Sequence, residues 1–266
     1  LVYQHMYYFK GFSIILATLF FTLQIYCDFS GYSDIAIGTA KLFGIDLMTN
    51  FKSPYFSKSI KEFWSRWHIS LSTWFKDYVY IPLGGNRVGA VRHSFNLLVT
   101  FLVSGLWHGA DWTFVIWGGV HGIAQVLENT VFKPIVRSKN KVLCVIRNAV
   151  VFIFCAFAWI FFVSSDWDTA VYMIQHLFVR DSSIADFFFE GGKTIGLTLF
   201  KSIMIGVTVA ILAFYDYMAY KHDDDFIGWI SGKKKIWQWL FYCLIALFIV
   251  FVSKKGVAAE FIYFQF

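Results

Sequence analysis

Six long runs of apolar residues constrain the fold of this chain more than any other feature. They cover residues 11–27, 94–107, 112–132, 148–165, 195–219 and 236–252. A transmembrane helix needs about 20 mostly apolar residues, which is the scale of these runs. Only 15% of the residues are charged, against about a quarter in an average soluble domain. The sequence therefore predicts an all-α integral membrane protein, a multi-pass helical bundle with amphipathic or re-entrant helices.

The net charge of +6 comes from lysine and arginine clusters between the apolar runs. An excess of basic residues in connecting segments marks the cytoplasmic side of a membrane and attracts anionic headgroups. We therefore expect membrane lipid, and no nucleic acid, to be the partner of these clusters. Assigning sides on this basis leaves residues 261–266 on the outer side.

The four cysteines are scattered singly along the chain, at Cys27, Cys144, Cys155 and Cys243. This arrangement has neither the spacing of a metal site nor that of a disulfide framework. We expect buried free thiols and no bound metal.

Residues 60–78 have the pattern of an amphipathic helix, with apolar, largely aromatic residues on one side and basic and polar residues on the other. The surrounding segment, 50–92, is rich in lysine and arginine. The pattern predicts a helix lying on the cytoplasmic membrane surface. His68 falls at the edge of the apolar stripe, where ordinary packing is the simpler interpretation. Pro82 and the following glycines should end the helix.

His108 follows a nearly continuous apolar run, so it should lie in or beside the bilayer. An ionisable side chain there is costly and indicates function, and a neutral imidazole suits a general base. The alternative is a histidine that caps a helix or bonds within the bundle. A helix from Arg92 to His108, rising about 1.5 Å per residue, crosses most of the hydrocarbon. We therefore expect His108 deep or towards the far side, and His68 near the cytoplasmic face.

Other residues near His108 have simpler explanations. Asp111 is predicted to cap the helix after the turn, and His121 is interpreted as structural. Trp107 and Trp112 could wall a pocket, although aromatic residues at such positions more often serve packing.

Two acids, Asp28 and Asp34, stand in a neutral stretch of small residues. We favour the interpretation that they form a structural pair inside the helical bundle over the alternative that they line a polar path.

The residues alone leave several functions open. An intramembrane His108 and a His68 on a basic surface helix suit an enzyme that passes a chemical group through the membrane. They equally suit a proton-coupled transporter or flippase, although the inverted repeat common in transporters is not evident. A scaffold that recruits a soluble carrier protein is a third possibility.

Four segments carry a resemblance to a known family. They are YCDFSGYSDIAIG (26–38), RWHISLSTWFKDYVYIPLGGNR (66–87), SGLWHG (104–109) and FIYFQF (261–266). Together they resemble the membrane-bound O-acyltransferases. The branch is the bacterial one that includes the alginate O-acetylation protein, the peptidoglycan O-acetyltransferases and the D-alanyl transferase of teichoic acids. Residues 82–86 agree better with the acetyl-transferring members than with the D-alanyl branch.

The resemblance implies two catalytic residues. His108 matches the catalytic histidine of the family, and His68 matches its second functional polar position. Family members are about twice as long as this chain. The resemblance thus identifies residues 1–266 as a single membrane domain, the C-terminal part of such a transferase without its N-terminal helices.

The resemblance also implies an activity, a donor and partners. The expected reaction moves an acyl group, with acetyl favoured, from a cytoplasmic thioester across the membrane. The acceptor would be hydroxyls of an extracytoplasmic polysaccharide or cell-wall glycan, or a partner transferase. The donor substrate would be acetyl-CoA or an acylated carrier protein, with no tightly bound cofactor. An extracytoplasmic partner acetyltransferase and a multi-pass location in the bacterial cell membrane are further expectations. D-alanyl transfer from a carrier protein to teichoic acid is the alternative within the family.

Overall fold

A computed structural model describes residues 3–179, 195–222 and 226–252, except the side chains of Gln4, Phe251 and Val252. The described residues contain helices and connecting turns and no β-strand. We number the helices α1 (Phe12–Leu42), α2 (Ile60–Arg66), α3 (Ile69–Phe75), α4 (Ala90–His108), α5 (Trp112–Asn129), α6 (Lys133–Arg137), α7 (Lys141–Val163), α8 (Trp167–His176), α9 (Leu199–Lys221), α10 (Phe226–Ser231) and α11 (Lys235–Val252). The predicted all-α class is therefore confirmed, whereas the C-terminal motif at 261–266 lies outside the described residues.

Three of these helices, α1, α7 and α9, are long and apolar enough to cross a membrane. A shorter apolar helix covers Lys235–Val250. The other two predicted spans are helical, as α4 and α5, but they do not reach the same apolar character. Polar residues such as Asn96 and Gln125 interrupt them, and both of these side chains are buried.

Side-chain caps fix several helix starts. Asp111 accepts a hydrogen bond from the Thr113 amide at 2.8 Å, which confirms its predicted capping role at α5. Asp166 accepts from the Thr169 amide at the start of α8, also at 2.8 Å. This bond and one from the Ser165 hydroxyl hold the pKa of Asp166 below its usual value. Such caps satisfy amides that have no partner within the helix.

The core is built from aromatic side chains of α2 and the residue that follows it, of α5 and of α7. Phe63, Trp67, Trp117, Trp159 and Phe162 are each at most 1% exposed and belong to one cluster. Trp159 lies between two of them, with its ring centroid 5.1 Å from that of Trp67 and 5.7 Å from that of Trp117. These contacts join the three helices around one centre.

Helices α4 and α5 approach each other backbone to backbone. A Cβ on Gly105 of α4 would overlap the carbonyl oxygen of Phe114, and one on Gly118 of α5 would overlap that of Phe101. Glycine is required at both positions because it permits this separation.

The segment predicted to be one amphipathic helix is broken in the structure, so that prediction is wrong. Helices α2 and α3 are separated at Trp67 and His68, and a π-helical turn, Lys76–Tyr80, follows α3. The apolar residues of segment 60–78 also differ in exposure, since Trp67 is buried whereas Trp74 and Tyr78 are exposed. Half of the stripe thus packs into the core.

Residues 50–52 explain the break. The Lys52 amide donates to the carbonyl oxygen of Arg66 at 2.9 Å, and the Ile69 amide donates to that of Asn50 at 3.0 Å. The Asn50 side chain also accepts from the Ser70 amide at 3.1 Å. A distant segment therefore satisfies the backbone groups that a continuous helix would pair internally.

Two side chains, one on α7 and one on α1, make hydrogen bonds to distant parts of the chain. The Asn148 side chain donates to the carbonyl oxygens of Tyr55 and Ser57, at 2.8 and 3.0 Å. The Tyr26 hydroxyl donates to buried Asp216 at 2.8 Å and so joins α1 to α9. Neither contact was predicted, because each joins residues far apart in the sequence.

Two predictions about individual residues need correction. Asp34 is exposed and Asp28 is half-buried, with the Gln24 amide donating to it at 3.5 Å, so they are not a buried pair. All four cysteines are free, as predicted. However, Cys155 is buried whereas Cys27 and Cys243 are exposed. Apolar sequence surroundings do not distinguish a core-facing from an outward-facing side of a helix.

Gly118→Ala should destabilise the protein by about 2 kcal/mol, because the added methyl group overlaps the α4 backbone. The adjacent Gly119→Ala is the matched control, since its Cβ would meet Leu102 at an ordinary 3.4 Å. Thermal unfolding of the two variants in detergent measures the difference. Equal unfolding temperatures would contradict the proposed contact.

Candidate active site

His108 is the last residue of α4 and is anchored by its own helix. Its Nδ1 lies 2.7 Å from the carbonyl oxygen of Ser104, one turn earlier. A carbonyl only accepts hydrogen bonds, so Nδ1 carries a proton. The neutral ring therefore presents the lone pair of Nε2, which can take a proton from a reacting group.

Aromatic rings surround the His108 imidazole. Ring centroids of Trp107, Trp117 and Phe162 lie 5.1, 5.0 and 5.5 Å from it. Trp117 and Phe162 are buried in the core, whereas Trp107 is 57% exposed. Trp112, the other predicted wall residue, is 72% exposed. His108 is half-buried, and its buried side packs against the rings of Trp117 and Phe162.

His68 occupies the break between α2 and α3. Its backbone has φ 44° and ψ 54°, in the left-handed region, which residues with a Cβ seldom adopt. Its ring lies edge-on to that of Phe29, with centroids 4.6 Å apart. The Ser70 hydroxyl lies 3.4 Å from Nδ1. The break thus holds this imidazole beside the core instead of along a helix face.

The structure places the two predicted site histidines within electrostatic range of each other. Burial, and secondarily the nearby His108, lower the pKa of His68 to about 4. Because this value lies well below 7, His68 is neutral at physiological pH. The two imidazoles are therefore close enough to interact electrostatically, and a neutral imidazole can accept a proton at one ring nitrogen and donate a hydrogen bond from the other.

The expectation that His68 lies near the cytoplasmic face and His108 deep or towards the far side stays a prediction. That prediction assumed a continuous surface helix through His68. The break instead turns Trp67 into the core, where Trp159 links it to Trp117, which lies against His108.

His121, interpreted as structural, lies on α5 and is fully buried. Its Nδ1 accepts a hydrogen bond from Trp64 Nε1 at 3.2 Å. The ring of Trp117 lies between the imidazoles of His108 and His121, with its centroid 5.0 Å from that of His108 and 5.3 Å from that of His121. His121 thus belongs to the same aromatic cluster but makes no contact with open space.

A cavity of about 610 Å³ lies between the α2–α3 segment and the helices α4 and α5. Its lining is largely apolar with neutral polar groups, including Thr100 and Ser104 of α4 and Gln125 of α5. Lys61, Lys76 and His93 supply basic groups. Neither His68 nor His108 lines it, but Ser104 carries the carbonyl that anchors His108. The cavity therefore reaches within one helical turn of His108.

Sequence reasoning missed Glu128, near the end of α5. Its carboxylate accepts hydrogen bonds from the Ile60 and Lys61 amides, at 2.7 and 3.2 Å. As a lone acid within a predicted membrane span, it carried a signal that could have identified it. Among the described residues, no group of three or more histidine, cysteine or acidic side chains is arranged to hold a metal.

Replacing His68 by glycine should separate its backbone role from its side-chain role. Glycine adopts the left-handed conformation without strain, so His68→Gly should be about 1 kcal/mol more stable than His68→Ala. Both variants lack the imidazole. Thermal unfolding of the pair checks the difference, and a less stable glycine variant would contradict the observed backbone conformation.

Comparison with known proteins identifies the family of this chain. Residues 1–165 match the membrane-bound O-acyltransferase family. The chain is 44% identical over 200 residues to a probable alginate O-acetylase of Pseudomonas syringae pv. tomato, covering 75% of this chain and 37% of that protein. It is 41% identical over 160 residues to a peptidoglycan O-acetyltransferase of Helicobacter pylori, covering 60% of this chain and 30% of that protein.

A more distant similarity is to a teichoic acid D-alanyltransferase of Streptococcus thermophilus, 38% identical over 113 residues, or 40% of this chain and 27% of that protein. The chain thus spans between 27% and 37% of the length of these relatives. The family match covers more than half of the chain and includes both site histidines. The chain belongs to the membrane-bound O-acyltransferase family.

Proposed function

We propose that this chain carries the catalytic centre of a membrane-bound O-acyltransferase that moves an acetyl group from acetyl-CoA to a hydroxyl of an extracytoplasmic polysaccharide. The observation that carries the proposal is His108, whose Nδ1 is committed to the Ser104 carbonyl and whose Nε2 is free to act as a base. Acyl transfer to a hydroxyl needs such a base, a donor to the developing oxyanion and exclusion of water.

The residues assign a role to each step. As the acceptor oxygen forms its bond to the thioester carbonyl carbon, His108 Nε2 takes the hydroxyl proton. The carbon–sulfur bond then breaks, and His108 returns the proton to the departing thiolate. If the Ser70 hydroxyl donates to His68 Nδ1, the proton of neutral His68 lies on Nε2 and can be donated to the carbonyl oxygen. The aromatic rings beside His108 limit access of water.

The cavity beside Ser104 suits the donor. Its volume lies within the usual range for small-molecule sites. The neutral polar and apolar lining matches an extended amide-containing thiol arm, and Lys61 and Lys76 can bind phosphate groups. An acylated carrier protein, whose arm carries the same chemistry, is the alternative donor.

The relatives support acetyl over D-alanyl and favour a glycan acceptor. Identity to the alginate O-acetylase extends over 200 residues, against 113 for the D-alanyltransferase. We infer a multi-pass location in the bacterial cell membrane, with acetyl-CoA on the cytoplasmic side. Transfer is either direct to the polysaccharide or through an extracytoplasmic partner acetyltransferase.

His108→Ala should lower acetyl transfer by roughly 10²–10⁴-fold, the usual contribution of a general base. Membranes holding the full-length protein would receive labelled acetyl-CoA on the cytoplasmic side, and label in extracytoplasmic glycan would be counted. His176→Ala is the matched control, because His176 Nδ1 makes the same bond to a carbonyl one turn earlier but lies on α8. Full activity of His108→Ala would overturn the assignment of the base.

Thr100→Phe should raise KM for acetyl-CoA by roughly tenfold or more, about 1.4 kcal/mol of donor binding, because the ring would occupy the cavity. Thr208→Phe provides the control, since Thr208 bonds to its own helix in the same way but is exposed on α9. Steady-state kinetics with varied acetyl-CoA give both constants. An unchanged KM for Thr100→Phe would contradict donor binding in this cavity.

A further inference from the structure

Helix α5 contacts both halves of the proposed catalytic centre. At its start, Trp117 lies against the His108 ring. Further along, His121 and Glu128 each accept hydrogen bonds from α2, the short helix that leads into His68. Helix α5 therefore contacts His108 directly and is linked to His68 indirectly, through its hydrogen bonds to α2.

Glu128 binds the beginning of α2. The first-turn amides of Ile60 and Lys61 have no partners within the helix and donate instead to the two Glu128 oxygens. Ser59 caps only the next amide, that of Glu62, at 3.0 Å. A carboxylate at the amino end of a helix is also favoured by the helix dipole. Glu128 thus fixes where α2 starts against α5.

His121 binds α2 one turn later. Its Nδ1 accepts a hydrogen bond from Trp64 Nε1, and because an accepting nitrogen carries no proton, the neutral ring has its proton on Nε2. That Nε2 is buried without a hydrogen-bond partner among the described residues. A buried unpaired donor is destabilising, so an apolar side chain would fill this position at lower cost if packing were the sole requirement.

We propose that Glu128 and His121 are positioning residues that hold α2 against α5 and so set the position of His68 relative to His108; this rests on the proposed function of the two histidines. Helix α2 has seven residues, too few to keep a fixed conformation without tertiary contacts. It ends at Arg66, directly before Trp67 and His68. A loosened α2 therefore displaces the second imidazole, whereas His108 keeps its own anchor at Ser104.

The effect should be on the chemical step. Misplacement of a catalytic group by about 1 Å can lower a rate by about 10²-fold. We expect His121→Leu, which removes the acceptor, to lower kcat by roughly tenfold or more. His121→Asn keeps an acceptor near the position of Nδ1 and should retain most of kcat.

Trp64→Phe removes the same hydrogen bond from the other side. Combined with His121→Leu, it should add little to the loss from either change alone, because both act through one interaction. Glu128→Gln, which keeps one acceptor oxygen, should lie between wild type and Glu128→Leu. A purely structural role instead predicts lower unfolding temperatures with unchanged kcat per folded molecule and no rescue by His121→Asn.

A second readout tests the proposal without any enzyme assay. Spin labels on exposed Ser65 of α2 and Ile123 of α5, in full-length protein whose native cysteines are replaced, report the distance between the helices. We expect a narrow distribution in wild type and His121→Asn, and a broad one in His121→Leu and Glu128→Leu. An equally narrow distribution in all variants would overturn the proposal. Acetyl transfer absent from wild type would instead overturn the proposed function, while the distances still test the positioning.

Discussion

The backbone contact between α4 and α5 is the constraint on which the rest of the site depends. Gly105 and Gly118 allow each helix to rest against a carbonyl of the other. This contact fixes the turn that carries His108 and directs Trp117 towards its ring. It also sets the line along which α5 runs, and therefore where His121 and Glu128 meet α2. The two histidines of the centre are thus related to each other through α5.

Local sequence signals predicted much of this arrangement. Apolar runs identified the helices, and Asp111 was recognised as a cap because a carboxylate before an apolar helix commonly has that role. The apolar setting of His108 singled it out as an intramembrane ionisable residue. The resemblance to a known family then assigned roles to His108 and His68. Each of these inferences rests on neighbours in the sequence or on a contiguous motif.

The errors arose where distant residues decide local structure. Nothing in the periodicity of residues 60–78 reveals that Asn50 and Lys52 will satisfy the backbone at the break before His68. Without that break, His68 was expected on one continuous surface helix. Similarly, the bond from Tyr26 to Asp216 depends on how α9 lies against α1. Such contacts follow from tertiary packing and leave little trace in a single sequence.

The most direct test of the account is a structure of the full-length protein bound to a non-hydrolysable thioether analogue of acetyl-CoA. The account predicts that the acyl carbonyl oxygen lies within hydrogen-bonding distance of His68. His108 Nε2 should face the carbonyl carbon, with room between them for the acceptor hydroxyl. The thiol arm should occupy the cavity between the α2–α3 segment and the helices α4 and α5. An acyl group bound away from both imidazoles would contradict the assignment of this site as the catalytic centre.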